Sequence, residues 1–209
     1  MARAQALTSA LTVSQVEPRE AATVILLRGG SPFQILMVAR NPATRLAGGA
    51  WVFPGGGVEH DDGPGEERLR VAAVRELAEE AAITGVDPDD LVHFSRWIAP
   101  ASLPIRFDTH FFLARAPDGQ EPEVDGVECV DAGWFTASEM LSDERAGAFP
   151  LLFPTRKHLE RLCDFDSIEE LLEAVEDAEV VAVRPRLRHP GDPGIALLPG
   201  EPGYDTATG

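Results

Sequence analysis

An α/β sandwich is the fold class this sequence predicts, and three features carry the prediction. Two short apolar runs, residues 21–28 and 34–40, read as paired strands and come before a helix that holds Arg75, Glu76, Glu79 and Glu80. Two further strand-like runs, 91–98 and 109–115, follow that helix, and helical stretches then dominate from Thr136 onward. Strands, a connecting helix, more strands and then helices are the pattern of a sheet covered by helices.

A length of 209 residues with 44% hydrophobic content suits one domain with an ordinary core. The formal net charge of -17 argues against nucleic acid or an anionic membrane as a partner. An acidic chain that binds an anionic substrate must invert its local field, and bound divalent cations with a few placed arginines would do so. Cys129 and Cys163 form no disulfide framework and no Cys-x-x-Cys motif, which favours a reduced, cytoplasmic setting. The first residues, MARAQALTSALTV, lack the apolar run of a signal peptide, and no stretch reaches the roughly 18 to 20 apolar residues of a membrane span. Lys157 is the only lysine, which reads as genome composition.

Taken in order, the first two strands are joined by Gly29-Gly30-Ser31-Pro32, a turn signal. A Gly- and Pro-rich connection follows, in which Arg40 and Arg45 bracket a turn and 51–53 forms a short strand. Guanidinium groups suit phosphate oxygens because they donate in a planar fork. Phe53-Pro54-Gly55-Gly56-Gly57 reads as a turn leading through an acidic loop into the helix. There Glu76, Glu79 and Glu80 stand at i, i+3 and i+4 and share one face, while Val71, Val74, Leu77, Ala78 and Ala81 offer an apolar face. Carboxylates at i and i+4 repel by roughly 0.2 to 0.5 kcal/mol per pair, so a cation is expected among them. Hard divalent ions, Mg²⁺ above all, take such oxygen ligands while also gripping substrate phosphates.

The whole pattern resembles the signature of the Nudix hydrolase superfamily. Glu67, seven residues, Arg75-Glu76, an aliphatic residue, one residue, Glu79-Glu80 and the aliphatic Ile83 match it, with Gly56 as the glycine that opens it. The gap from Gly56 to Glu67 is longer than the family's usual one, so Glu66 is an alternative to Glu67. Ala82 stands where the family has glycine, which suggests a helix end that does not use the left-handed conformation. Upstream, 36–40 with Asn41, Arg45, Gly49 and Phe53-Pro54-Gly55-Gly56 is similar to the motif before this signature in coenzyme A diphosphatases, with Met37-Val38 and Asn41 departing from it. Trp97, Pro100, Arg106, Asp108 and Phe111-Phe112 look like a run of the branch that includes the peroxisomal-type enzymes.

Downstream, Phe111 and Phe112 must point to opposite faces of their strand, and His93 and His110 read as packed or hydrogen-bonded histidines. In many Nudix hydrolases a further carboxylate shortly before a tryptophan approaches the metals. Glu128, ahead of Trp134, is the candidate here, with Glu121, Glu123 and Asp125 as rivals. Thr136-x-x-Glu139 has the form of a capping box, Thr155 and Ser167 lead further helical stretches, 179–184 reads as a last strand, and 195–198 as an edge strand.

The resemblance implies an α/β/α sandwich with a mixed sheet. It divides the chain into an N-terminal segment, 1–20, a hydrolase domain with C-terminal helices, 21–184, and a Pro/Gly-rich tail, 185–209. It further implies a metal-dependent cleavage of a diphosphate linkage. Glu76, Glu79, Glu80 and Glu67 would hold Mg²⁺ or Mn²⁺, Glu79, Glu80, Arg75 and Glu128 would serve catalysis, and Arg40, Arg45, Gly55 and Gly56 would meet the substrate. Arg75 is expected to orient carboxylates, Glu67 among them, by forked hydrogen bonds. The favoured substrate is coenzyme A or an acyl-coenzyme A. ADP-ribose, a dinucleotide or a damaged nucleotide is the alternative, and a ligand sensor without turnover is another class. The expected partner is a small-molecule nucleotide, and homodimers are common in the family.

Overall fold

The computed structural model describes residues 16–188 and 196–208. The expected N-terminal segment therefore falls largely outside the described residues, as does Ile195. The elements, in chain order, are strands β1 (Arg19–Arg28), β2 (Gln34–Arg40), β3 (Trp51–Val52) and β4 (Gly55–Gly57), helix α1 (Glu67–Ala81), strands β5 (Val92–Ile98), β6 (Phe107–Arg115) and β7 (Cys129–Phe135), helices α2 (Ala137–Arg145), α3 (Phe153–Leu162) and α4 (Ile168–Val175), and strands β8 (Ala182–Val183), β9 (Arg186–Leu187) and β10 (Ala196–Leu197).

The main sheet runs β3-β2-β1-β6-β5-β8, with β7 on β2 and β4 on β1. It is mixed: β1 and β6 pair in parallel from Arg19↔Phe107 to Leu27↔Arg115, and β5 and β8 are parallel, whereas β1–β2 and β5–β6 are antiparallel. Side chains alternate across each strand, so the sheet has two apolar faces. Ala22, Val24, Leu26, Leu36, Val38 and Phe112 meet α1 on one face. Ile25, Leu27, Ile35, Met37, Phe111 and Leu113 meet α2, α3 and α4 on the other. Phe111 and Phe112 thus do divide between the two cores. The three layers are those of an α/β/α sandwich.

β1 and β2 pair only at their hairpin end, at Leu27↔Ile35 and Arg28↔Gln34, and then diverge. The chain from 51 to 57 bridges the gap: β3 pairs with β2 at Val38↔Val52, and β4 pairs with β1 at Ala22↔Gly56. A divergence filled by a glycine strand leaves an opening in an otherwise continuous sheet, and α1 lies across it.

Several elements depart from the sequence reading. Gly55-Gly56-Gly57 is a strand, not a turn. The buried face of α1 is Leu69, Ala72, Ala73, Leu77, Glu80 and Ala81, while Val71, Val74 and Ala78 are half-buried. The helix is turned so that one of its acids, rather than a further aliphatic residue, faces the sheet. Ala82 does adopt the left-handed conformation, φ 53° and ψ 21°, with its N–H donating to the Ala78 carbonyl at 3.0 Å. The reversal is required because Ile83, 1% exposed, must enter the core immediately after the helix. Residues 179–184 give only the short β8, and β10 pairs with β9 in a separate two-stranded ribbon instead of edging the main sheet. α2 carries the expected reciprocal cap, with the Glu139 N–H donating to Thr136 Oγ1 and the Thr136 N–H to Glu139 Oε2. None of the helices among the described residues is long and apolar enough to cross a membrane.

Two substitutions in α1 probe this account by urea unfolding. Leu77→Ala, at a fully buried site, is expected to cost about 2–5 kcal/mol. Ala82→Gly is expected to stabilise by roughly 0.5–1 kcal/mol, because glycine removes the left-handed penalty at some entropic cost. An unchanged or lowered stability in Ala82→Gly would contradict the strained helix end.

Candidate active site

The opening between β1 and β2 is a cleft of about 420 Å³, lined at its base by Thr23, Arg40, Gly55, Gly56, Glu76, Glu80 and Glu128. Its walls are apolar, from Phe53, Phe107, Phe111, Leu152 and Pro154. A smaller acidic concavity shares its Glu76, Glu80 and Glu128 and extends to Glu79, Arg75, Glu59 and Asp125. The topology therefore collects Glu76, Glu79, Glu80, Glu128, Arg40, Arg75, Gly55 and Gly56 around one site.

The glycines are required by close approach, not by unusual backbone angles. A Cβ on Gly56 would stand 2.4–2.6 Å from the Glu76 carboxylate, and one on Gly55 would stand 2.4 Å from Thr23 Oγ1 and 2.6 Å from the Ala22 carbonyl oxygen. A side chain at Gly55 would clash with β1, and one at Gly56 would displace the Glu76 carboxylate.

Glu80 is the most confined acid, 3% exposed. The Gly55 N–H donates to its Oε2 at 3.0 Å, and Arg40 Nη1 donates to Oε1 at 3.3 Å. Burial pushes its pKa up to about 7; the Gly55 amide and the Arg40 charge oppose that rise, and Glu76 and Glu128 add to it. Burial likewise raises Glu76, against the pull of Arg75. Glu79 is the open member, its side chain 60% exposed. Cys129, buried beside Glu80, is pushed up to about 12, chiefly by burial, and stays a protonated thiol.

Arg75 is the hub of the helix face. Its Nε and Nη2 fork onto Asp62 at 2.9 and 3.1 Å, Nη2 also donates to the Gly57 carbonyl at 2.9 Å, and Nη1 reaches Glu76 at 2.9 Å and Glu79 at 3.1 Å. Arg75 therefore orients carboxylates, but its anchor is Asp62 and not Glu67. The longer loop after Gly56 folds Asp62 back beneath the helix, where its Oδ2 also accepts the Glu59 N–H at 2.7 Å. The Arg75 fork holds the Asp62 carboxyl below its usual range. Glu67 opens α1, exposed and more than two turns from Glu76, and lines neither concavity. No motif in the sequence points to Asp62, whose one local signal is an acid just before Gly63. Arg45 is exposed and also outside the lining, next to Leu46, which borders the cleft.

Among the rivals of Glu128, Glu121 pairs with Arg28, and Asp125 accepts the backbone N–H groups of Val127, Glu128 and Cys129. Asp125 thereby holds the loop that presents Glu128, whose own carbonyl accepts the Asn41 N–H at 2.8 Å. His93 and His110 stack with 3.1 Å between Nε2 and Nδ1, away from this cleft.

Among the described residues no three acidic, histidine or cysteine side chains already converge as a formed metal site. The donors nevertheless fit a hard divalent cation: all are carboxylate oxygens, and Glu80 is desolvated beside Glu76 and Glu128. Two of the carboxylates, Glu76 and Glu79, are kept in place by one guanidinium.

Glu80 makes stability depend on pH in a definite direction. Its proton is held more tightly in the folded chain, about 7, than at the ordinary value of 4.5. Its contribution is greatest below pH 4.5 and is lost as pH rises through 7. In chelator, wild-type unfolding free energy is expected to fall by roughly 3 kcal/mol more than that of Glu80→Gln between pH 4 and 8. Parallel pH profiles for the two proteins would contradict the desolvated carboxylate.

The NUDIX domain model matches residues 17–154, well over half of the chain. A Caenorhabditis elegans protein named "Putative nudix hydrolase 7" is 27% identical over 191 residues, covering 73% of this chain and 64% of that protein's length, so the chain spans less than two thirds of this relative. The crystal structure of a NUDIX hydrolase from Alicyclobacillus acidocaldarius shares the fold with a TM-score of 0.69, 24% identity, and coverage of 80% of this chain and all of that one. The NUDIX domain of Shewanella oneidensis NrtR, solved with ADP ribose, shares it at a TM-score of 0.53 and 16% identity, over 71% of this chain and 88% of its own. With the family model covering every strand and helix that builds the cleft floor, the chain belongs to the NUDIX domain family.

Proposed function

We propose that this protein is a divalent-metal-dependent diphosphohydrolase that cleaves the diphosphate linkage of a nucleoside diphosphate derivative, with coenzyme A or an acyl-coenzyme A as the favoured substrate. The observation that carries the reading is Glu80, buried at the floor of an open cleft with Glu76 and Glu128 beside it. A bound Mg²⁺ or Mn²⁺ would lower the pKa of water and neutralise the phosphates. Glu76, Glu79 and Glu80 would hold it, with Glu128 the fourth carboxylate or the base.

Arg75 positions Glu76 and Glu79, and Asp62 positions Arg75. Gly55 and Gly56 allow backbone and substrate to approach without a Cβ, and the unpartnered Nε of Arg40 offers a phosphate oxygen a donor. The apolar walls of the cleft, Phe53, Phe107, Phe111 and Leu152, suit a leaving group with an extended, weakly polar arm better than a second nucleotide. That favours the coenzyme A reading over a dinucleotide. ADP ribose, the ligand of the Shewanella domain, is the rival substrate.

The test is product analysis by mass spectrometry with coenzyme A, acetyl-coenzyme A, ADP-ribose, NADH and a diadenosine polyphosphate, with Mg²⁺ and then with chelator. Release of 3′,5′-ADP from coenzyme A is expected to lead and to vanish with chelator. Glu79→Gln, at an exposed position, is expected to lower kcat by about 100-fold or more without loss of fold. Faster cleavage of ADP-ribose would overturn the coenzyme A preference. Full turnover in chelator would overturn the metal requirement.

A further inference from the structure

In a chain where 35 acids face 18 bases, seven arginines are held by carboxylates. Arg28 pairs with Glu121, Arg40 with Glu80, Arg68 with Glu20, Arg75 with Asp62, Arg96 with Asp108, Arg115 with Glu169, and Arg156 with Glu144. Three others gather around one concavity. Arg106, Arg184 and Arg186 line a hollow of about 230 Å³ with Pro100, Pro185 and Tyr204, and among the described residues none of the three has a carboxylate partner.

Neutral groups hold the Arg106 and Arg186 side chains in place. Arg106, 9% exposed, donates from Nε to the Ala99 carbonyl at 3.0 Å and from Nη1 to the Val16 carbonyl at 2.6 Å. Arg186 donates from Nη1 to the Tyr204 and Asp205 carbonyls at 3.2 and 3.3 Å, with its guanidinium 4.5 Å from the Tyr204 ring centroid. The Tyr204 hydroxyl donates to the Arg184 carbonyl at 2.7 Å and so ties β9 and its approach to the C-terminal turn. Carbonyl oxygens fix a guanidinium without cancelling its charge. Neither Arg106 nor Arg186 commits its Nη2 to a bond among the described residues.

We infer that this hollow binds a phosphate-class anion. The guanidinium fork matches phosphate geometry, and among the described residues the Arg106 and Arg186 guanidiniums meet only neutral acceptors and keep free donors. The hollow is smaller than the roughly 300–1,000 Å³ of pockets for whole organic ligands, so it takes a phosphate group, not a complete nucleotide. It lies at the same end of β6 as the catalytic cleft: Arg106 borders the one, and its neighbour Phe107 borders the other. The bound group is then either a remote phosphate of a substrate in the cleft or a free anion. The site does not depend on the catalytic reading.

Tyr204 is the only tyrosine of the chain, so ¹³C-tyrosine labelling gives one ring reporter in the hollow. Inorganic phosphate titrated into the full chain at constant ionic strength, with chelator present, is expected to shift that signal to saturation. Arg184→Ala, at an exposed position, is expected to weaken the titration about tenfold or more. Coenzyme A acting at lower concentration than dephospho-coenzyme A would support the site and assign it to a substrate's remote phosphate. Equal responses to these two, with saturation by inorganic phosphate, would support it as a free-anion site. A response that chloride reproduces, that never saturates, or that Arg184→Ala leaves intact would overturn the proposal.

Discussion

A carboxylate buried at the edge of an apolar core is the constraint around which this molecule is arranged. Glu80 lies on the same helix face as Leu77 and Ala81, and its ionised form is tolerable only because the Gly55 amide and Arg40 meet its two oxygens. Both partners depend on the divergence of β1 and β2. Had those strands stayed paired along their length, there would be no glycine strand to supply the amide and no opening at the end of β2 for Arg40 to enter. The sheet topology, the glycines and the helix orientation are therefore consequences of holding one acid in one place.

The second level of order is the Arg75 hub. One guanidinium joins the loop acid Asp62, the Gly57 carbonyl, and the helix acids Glu76 and Glu79, so the repulsion among the acids of α1 is offset by a fixed charge. Glu80 is excluded from that hub and relies on Arg40 instead. The acids thus fall into two groups with different environments, a pair bound by Arg75 and a more deeply buried single residue met by Arg40. This division is what the proposed chemistry needs, since a cation drawn between them gains most from the carboxylate least served by water.

Much of this was legible in the chain itself. The i, i+3, i+4 spacing of Glu76, Glu79 and Glu80 is fixed by helix geometry, and the opposed burial of Phe111 and Phe112 by strand geometry. What the sequence hid was tertiary. Asp62 is marked by no motif because its partner is thirteen positions away across a loop of unusual length, while Glu67 stands at the familiar spacing from Arg75. The glycines look like a turn in the sequence because local composition cannot show that β1 and Glu76 crowd them from two sides. Ala82 ended its helix left-handed because the burial of Ile83, not local propensity, dictated the path. The β9–β10 ribbon and the arginine hollow beside it depend on long-range pairing that no motif announced.

The measurement that bears most directly on the central claim is Mn²⁺ binding followed by electron paramagnetic resonance in wild type, Glu80→Gln and Glu67→Gln. The account predicts a bound ion in wild type and Glu67→Gln with closely similar affinity, and affinity at least tenfold weaker in Glu80→Gln. Equal binding by wild type and Glu80→Gln, or a loss confined to Glu67→Gln, would contradict the placement of the buried carboxylate at the heart of the site.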